Sequence, residues 1–258
     1  MTRRALVFQH MDDEPPGLYG EFLTEAGAAL DIVQLHRGES IPGLAPYDFL
    51  LVMGGAMDVW ETAAYPWLTD EIAAIAEWVM TRDRPFFGVC LGLQLLALAA
   101  GGEVGKSKIQ EVGMGSVALT ELGRHHAMTC GLARKLHVMQ WHHAEVSVLP
   151  EGAEVLAASA TTDVQIMALG SAALATQFHG ELTPALVARW ADIPQYIQWL
   201  EEAHGPGAYA KVRAAFAPRA AAARQMSRRL FDNLITGTRI RAGRPDEESN
   251  QHQYAHTK

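Results

Sequence analysis

Two cysteines in 258 residues, Cys90 and Cys130, are too few for a disulfide framework. They fit a reducing compartment, and a cytoplasmic location is the expectation. The N-terminal stretch MTRRALVFQHMDDEPPG holds one short apolar run before polar residues return, too little for the apolar core of a signal peptide. No apolar stretch approaches the ~20 residues that span a bilayer, so no membrane partner is expected. Basic residues are also scarce: 21 Lys and Arg against 29 Asp and Glu leave a net charge of −8. Phosphate binding wants a basic face, which argues against nucleic acid. Several signatures are absent as well. There is no G-x-x-x-x-G-K-[ST] loop, no G-x-G-x-x-G after a strand, no H-E-x-x-H and no C-x-x-C. No nucleotide, cofactor or metal is expected. His142 and His143, with Glu145, are a poor metal set, because neighbours on a strand face opposite ways.

What is present is an ordinary globular composition, 49% hydrophobic and 19% charged. The first hundred residues alternate apolar runs with helical patterns. Strands are expected at 5–8, 31–35, 47–53 and 86–89, and a helix at 20–29. Thr69 suits the cap of a second helix, with Asp70 and Glu71 in its first turn and Ile72, Ile75, Ala76 and Val79 on one face. A third helix starts at Leu91 and stops at Gly101-Gly102. This alternation indicates an α/β fold, a mostly parallel sheet with helices on both faces. Beyond Val104 short β-like segments at 116–120, 155–160, 164–169 and 174–178 suggest a small antiparallel extension. From Thr183 the chain reads as helical, over 194–204 and 206–235. Residues 238–258 are polar and read as a disordered tail.

Gly88-Val89-Cys90-Leu91-Gly92 is a G-x-C-x-G between a strand and a helix, the form of a nucleophile elbow. Small neighbours let the backbone turn tightly, and the helix N-terminus favours a thiolate and offers N–H groups to an oxyanion. By itself the pentapeptide fits a small buried residue equally well. His179 follows an apolar strand, and Glu181 is two residues on, the same side in extended chain. Glu181 can then orient the ring, as the third member of a triad does. A strand-end histidine with a surface glutamate is the plain alternative. Gly54-Gly55 closes the third strand, either as a simple turn or as a second oxyanion donor beside that of Leu91.

Taken together, G-V-C-L-G-L-Q and Q-F-H-G-E resemble the class I glutamine amidotransferases, the type with a Cys-His-Glu triad. The nearest branch is the stand-alone proteins similar to the amidotransferase domain of GMP synthase. The likeness runs in order from about residue 5 to 190 and includes VMGGAMDVWETAAYPWL and QWHHAEVSVLPEGAEVLAASATTDVQIMAL. It implies an amidotransferase-like domain at 1–190, with 191–237 as its helical extension. It implies Cys90 as nucleophile, His179 as base, Glu181 as its partner, and Gly55 and Leu91 as oxyanion donors. Gln94, Trp141, His142 and His143 would line a pocket for a γ-glutamyl group. The implied reaction is hydrolysis of a γ-glutamyl amide through a thioester. Either the chain acts alone on glutamine or another γ-glutamyl amine or peptide, or it delivers ammonia to a separate synthetase or acceptor subunit. A binding or regulatory protein that has lost turnover is the reading of a different class. Three departures from the family pattern stand out: Gly180 in place of proline, Asp58 in place of serine, and the added helices.

Overall fold

The computed structural model describes residues 3–242. In chain order the elements are β1 (Arg3–Gln9), α1 (Gly17–Glu25), β2 (Ala28–Gln34), β3 (Phe49–Val52), α2 (Trp67–Ala76), β4 (Phe86–Val89) and α3 (Leu91–Ala99). There follow β5 (Glu103–Leu119), α4 (Glu121–His125), β6 (Lys135–Val148), β7 (Ala153–Ala158), β8 (Ile166–Leu169) and β9 (Ala173–Thr176). The chain then turns helical in α5 (Pro184–Arg189), α6 (Pro194–His204), α7 (Ala208–Phe216) and α8 (Ala220–Ala242).

All nine strands form one sheet, ordered β2-β1-β3-β4-β9-β8-β7-β5-β6. Pairings from β2 across to β9 are parallel, and those from β9 to β6 are antiparallel. In β1, Ala5, Leu6, Val7 and Phe8 are all fully buried, as a strand covered on both faces requires. One apolar layer packs α1 and α8 against the sheet through Phe22, Leu230 and Phe231. The opposite layer packs α2 and α3 through Leu68, Ile75, Leu93 and Leu96. A third cluster joins Trp190, Tyr196, Leu200 and Phe216 of the C-terminal helices to Val112, Met139 and Trp141 of the β5–β6 hairpin.

Several boundaries differ from the sequence expectation. The first helix starts at Gly17 and stops at Glu25, so Ala28 and Ala29 begin the strand instead of ending the helix. Gly27, at φ +83°, makes that stop. Thr69 caps nothing: Pro66 precedes the first turn of α2, and Thr69 lies inside it. The N–H donors of that first turn are met by the Tyr65-Pro66 turn, whose carbonyls accept from Leu68 and Thr69 at 3.0 and 3.2 Å. The antiparallel part is built on a long hairpin of 17 and 14 residues, which the expected strand segments meet only over 116–119. A register shift between Lys106 and Glu111 interrupts the β5–β6 ladder, so its sequence pattern breaks too. The helix α8 continues to Ala242, so the first residues of the expected tail are helical. Residues 243–258 lie outside the described residues.

Candidate active site

Cys90 stands between β4 and α3 at φ 50°, ψ −101°, a conformation that L residues rarely adopt. The glycines beside it are there for steric reasons. A Cβ on Gly88 would lie 2.7 Å from the Gly92 carbonyl oxygen, and one on Gly92 would lie 2.3 Å from the carbonyl oxygen of Val52. The Cys90 N–H donates to the Thr176 carbonyl at 2.8 Å, which ties the turn to the end of β9. Gln177 Nε2 approaches the sulfur at 3.5 Å, and the sulfur is 3.8 Å from the Trp141 carbonyl oxygen.

His179 lies three residues past β9, and its N–H donates to the Met139 carbonyl at 2.9 Å. Its Nδ1 is 2.7 Å from Glu181 Oε1, while Nε2 has no hydrogen-bond partner. Cys90, His179 and Glu181 are 5%, 4% and 2% exposed. Burial opposes a charge on the ring, but Glu181 and Cys90 outweigh it and hold the imidazole's proton affinity well above the ordinary range. The arrangement favours an imidazolium facing the sulfur.

Gly180 has a clear explanation. A Cβ there would lie 2.4 Å from Tyr19 Oη and 2.9 Å from Ser227 Oγ. Proline would meet the same atoms. What proline would lock by its ring is held instead by hydrogen bonds from other elements. Ser227 of α8 donates to the Gly180 carbonyl at 2.6 Å, and the Leu18 N–H of α1 donates to the Glu181 carbonyl at 2.9 Å.

The Gly54-Gly55 turn lies against α3: a Cβ on Gly55 would be 3.1 Å from Leu91 Cδ2. Leu91 is the first residue of α3, where a helix leaves its N–H groups without helical acceptors. A Cβ on Gly54 would lie 2.5 Å from Glu14 Oε2 and 3.0 Å from His179 Cε1, so only glycine admits both groups. Burial raises the proton affinity of Glu14, which accepts a hydrogen bond from the Tyr196 hydroxyl of α6.

The expected pocket residues divide. Gln94 Nε2 reaches the Ala144 carbonyl at 3.3 Å and Gln177 Oε1 at 3.4 Å. The Trp141 ring packs edge-on against Trp190 at 5.1 Å. The His142 ring is committed elsewhere: Nδ1 is 3.1 Å from the Ala144 carbonyl and Nε2 is 3.1 Å from Glu111 Oε2. Burial pushes the Glu111 carboxyl up, but His142 and nearby hydroxyls bring it down to about 2. His143 Nε2 pairs with Asp58 Oδ1 at 2.9 Å, and its ring meets Trp199 of α6 edge-on at 4.7 Å. A cavity of about 380 Å³ opens here, lined by Ala56, Asp58, His143, Trp199 and Glu202 among others, and begins one residue beyond Gly55.

Residues not singled out from the sequence complete the surroundings. Gln177 sits two positions before His179 in the same segment, which is the one signal it carries. Trp190 packs its edge on the His179 ring at 5.0 Å and is fully buried. With Tyr196, on which it packs at 5.2 Å, it brings the C-terminal helices onto His179. No group of three or more His, Cys, Asp or Glu among the described residues is arranged to hold a metal ion. Among them, too, no helix is long and apolar enough to cross a membrane.

Comparison with known proteins places the chain as a whole. The family model of the class-I glutamine amidotransferases matches residues 21–187. The glutamine amidotransferase-like protein YfeJ of Salmonella typhimurium is 30% identical over 177 residues, covering 67% of this chain and 74% of that protein. A gamma-glutamyl-L-1-hydroxyisopropylamide hydrolase of a Pseudomonas species is 33% identical over 147 residues, 54% of this chain and 49% of that one. The crystal structure of a glutamine amidotransferase from Thermotoga maritima superposes with a TM-score of 0.80 at 25% identity, covering 91% of this chain and 99% of that one. Against a whole GMP synthase, that of Aeropyrum pernix, the match spans only 28% of the relative's length. The chain belongs to the class-I glutamine amidotransferase family.

Proposed function

We propose that this chain hydrolyses the γ-amide bond of a γ-glutamyl compound, with Cys90 as nucleophile. The observation that carries the reading is the imidazole of His179, tied to Glu181 through Nδ1 with Nε2 left for the sulfur. The Cys90 thiolate attacks the γ-carbonyl carbon, and the N–H groups of Gly55 and Leu91 receive the oxyanion. His179 gives its proton to the departing nitrogen, so the C–N bond breaks and ammonia or an amine leaves. A γ-glutamyl thioester remains on Cys90. His179 then takes a proton from water, the hydroxide attacks the thioester, and glutamate leaves as the thiolate is restored. Gln94, Trp141 and the backbone at His142 and His143 form the γ-glutamyl pocket in this reading. The cavity beside Asp58 and His143 takes the amine portion.

Likeness to the γ-glutamyl amide hydrolase supports a chain that acts alone. So does a cleft covered by its own helices, through Trp190 and Tyr196. We assign residues 1–190 to the amidotransferase unit and 191–237 to a helical extension of it, and we place the protein in the cytoplasm on its two unpaired cysteines. The second reading, ammonia delivery to a separate synthetase, rests on the likeness to the GMP synthases. A panel of γ-glutamyl amides, glutamine included, assayed for glutamate release by the purified chain decides between them. Release from at least one compound without any other protein is the expected result. Release that starts only after a synthetase is added favours the second reading. No release in either case, with Cys90 also unmodified by a glutamine-analogue electrophile, overturns both.

A further inference from the structure

Behind the Gly54-Gly55 turn lies a second His–Glu pair that the reaction above does not use. His10 follows β1, and Glu71 comes from α2. Both are 0% exposed. His10 Nε2 is 2.9 Å from Glu71 Oε1, and His10 Nδ1 is 2.9 Å from the carbonyl oxygen of Gly54. Both ring nitrogens therefore face acceptors, a carboxylate and a carbonyl. Only an imidazolium has an N–H on each. The ring is also stacked on Trp67, with centroids 5.3 Å apart and planes 11° apart. It has little freedom to turn. Glu14 is the other charged group that acts on it.

The Gly54 carbonyl and the Gly55 N–H belong to one peptide unit. That unit is planar and trans, so its C=O and N–H point in opposite directions. Whatever grips the carbonyl aims the N–H. Two successive glycines are the residues least able to hold that plane by themselves. We propose that His10, held by Glu71, is a positioning residue that fixes the Gly54–Gly55 peptide plane so that the Gly55 N–H points at the developing oxyanion. This rests on the thioester reading above. Without the grip the peptide can turn over and present a carbonyl oxygen in place of a donor, which repels the oxyanion.

Removing one partner alone strands a buried charge and endangers the fold. The test is therefore the double variant His10→Phe with Glu71→Met, which replaces the pair by apolar groups of similar shape and keeps a ring on Trp67. Thermal unfolding confirms that it folds. The activity readout uses the best γ-glutamyl substrate of the parent protein. The expected result is a kcat lowered about 100- to 1,000-fold, the cost of losing one oxyanion donor, with KM within about twofold. Alkylation of Cys90 by iodoacetamide, followed on its peptide by mass spectrometry, forms no oxyanion and should stay within about twofold. A folded double variant with kcat within about threefold of the parent overturns the proposal. An alkylation rate that falls in parallel with kcat overturns it as well, because the change would then act on the sulfur. If the parent releases no glutamate from any compound, or Cys90→Ala remains active, it is the thioester reading that fails.

Discussion

Replacement of Cys90 by alanine is expected to lower glutamate release by about 10⁴-fold or more while leaving substrate binding intact. In the proposed mechanism no thioester forms without the sulfur, and water must attack the amide directly, helped only by the N–H groups of Gly55 and Leu91 and by His179. Loss of a nucleophile from a comparable hydrolytic triad costs about 10⁶ in kcat, and the residual rate comes from binding and the oxyanion donors. Alanine keeps the Cβ and fits the same turn, so the pocket beside Gln94 and Trp141 should survive. Calorimetric titration with the best γ-glutamyl compound, set beside a glutamate-release assay, separates the two effects. Turnover within tenfold of the parent would remove Cys90 from its assigned role. Affinity lost together with turnover would mean that the sulfur also shapes the pocket.

The largest stability effect is expected at Glu71. Its replacement by alanine leaves the His10 imidazolium buried with no counter-charge, and breaking such a pair costs about 3–5 kcal/mol. The effect should depend on pH in a defined sense. Burial opposes the charge on His10, but Glu71, the Gly54 carbonyl and Glu14 outweigh it and raise the ring's proton affinity in the fold. The contribution of the pair is then fully present below the unfolded histidine value, about 6.5. It is lost as pH rises through the higher folded value. Denaturant unfolding of the parent and of Glu71→Ala, compared from pH 5.5 upward, should show the widest gap at the acid end and a narrowing gap toward alkaline pH. A gap below about 1 kcal/mol at pH 5.5 contradicts a charged buried pair.

What the sequence made legible is what local sterics dictate. Gly88 and Gly92 are forced by backbone contacts around Cys90, and a G-x-C-x-G written on a strand–helix junction reports that directly. His179 and Glu181 are two residues apart, so extended geometry alone brings them together. The apolar runs of β1, β3 and β4 have no alternation because both faces are covered. Glu71 shows the opposite case. In a helical pattern a glutamate in the first turn suits a solvated, dipole-favoured position. Its burial comes from His10, 61 residues away, and no local rule connects the two. Tyr196 and Trp190 lie in a region legible only as helical, and nothing in their spacing says that the core they join includes His179. Ser227 gave no signal either, since its role depends on the missing Cβ at Gly180. The hairpin of β5 and β6 escaped for another reason. Gln140 and His142 stand on the buried face of β6 between Val138 and Ala144, paired with Gln165 and Glu111, so the apolar alternation that marks a strand is interrupted at its middle.

The backbone at position 90 has a consequence for engineering this protein. Among the described residues only Asp83 and Cys90 adopt positive φ without being glycine. Such a conformation costs about 1–3 kcal/mol in a residue with a side chain, and glycine adopts it freely. A library ranked by melting temperature would therefore favour glycine at position 90 and discard the sulfur with it. Any thermostabilised version of this chain has to be selected with turnover held as a condition, because at this one residue the two criteria point in opposite directions.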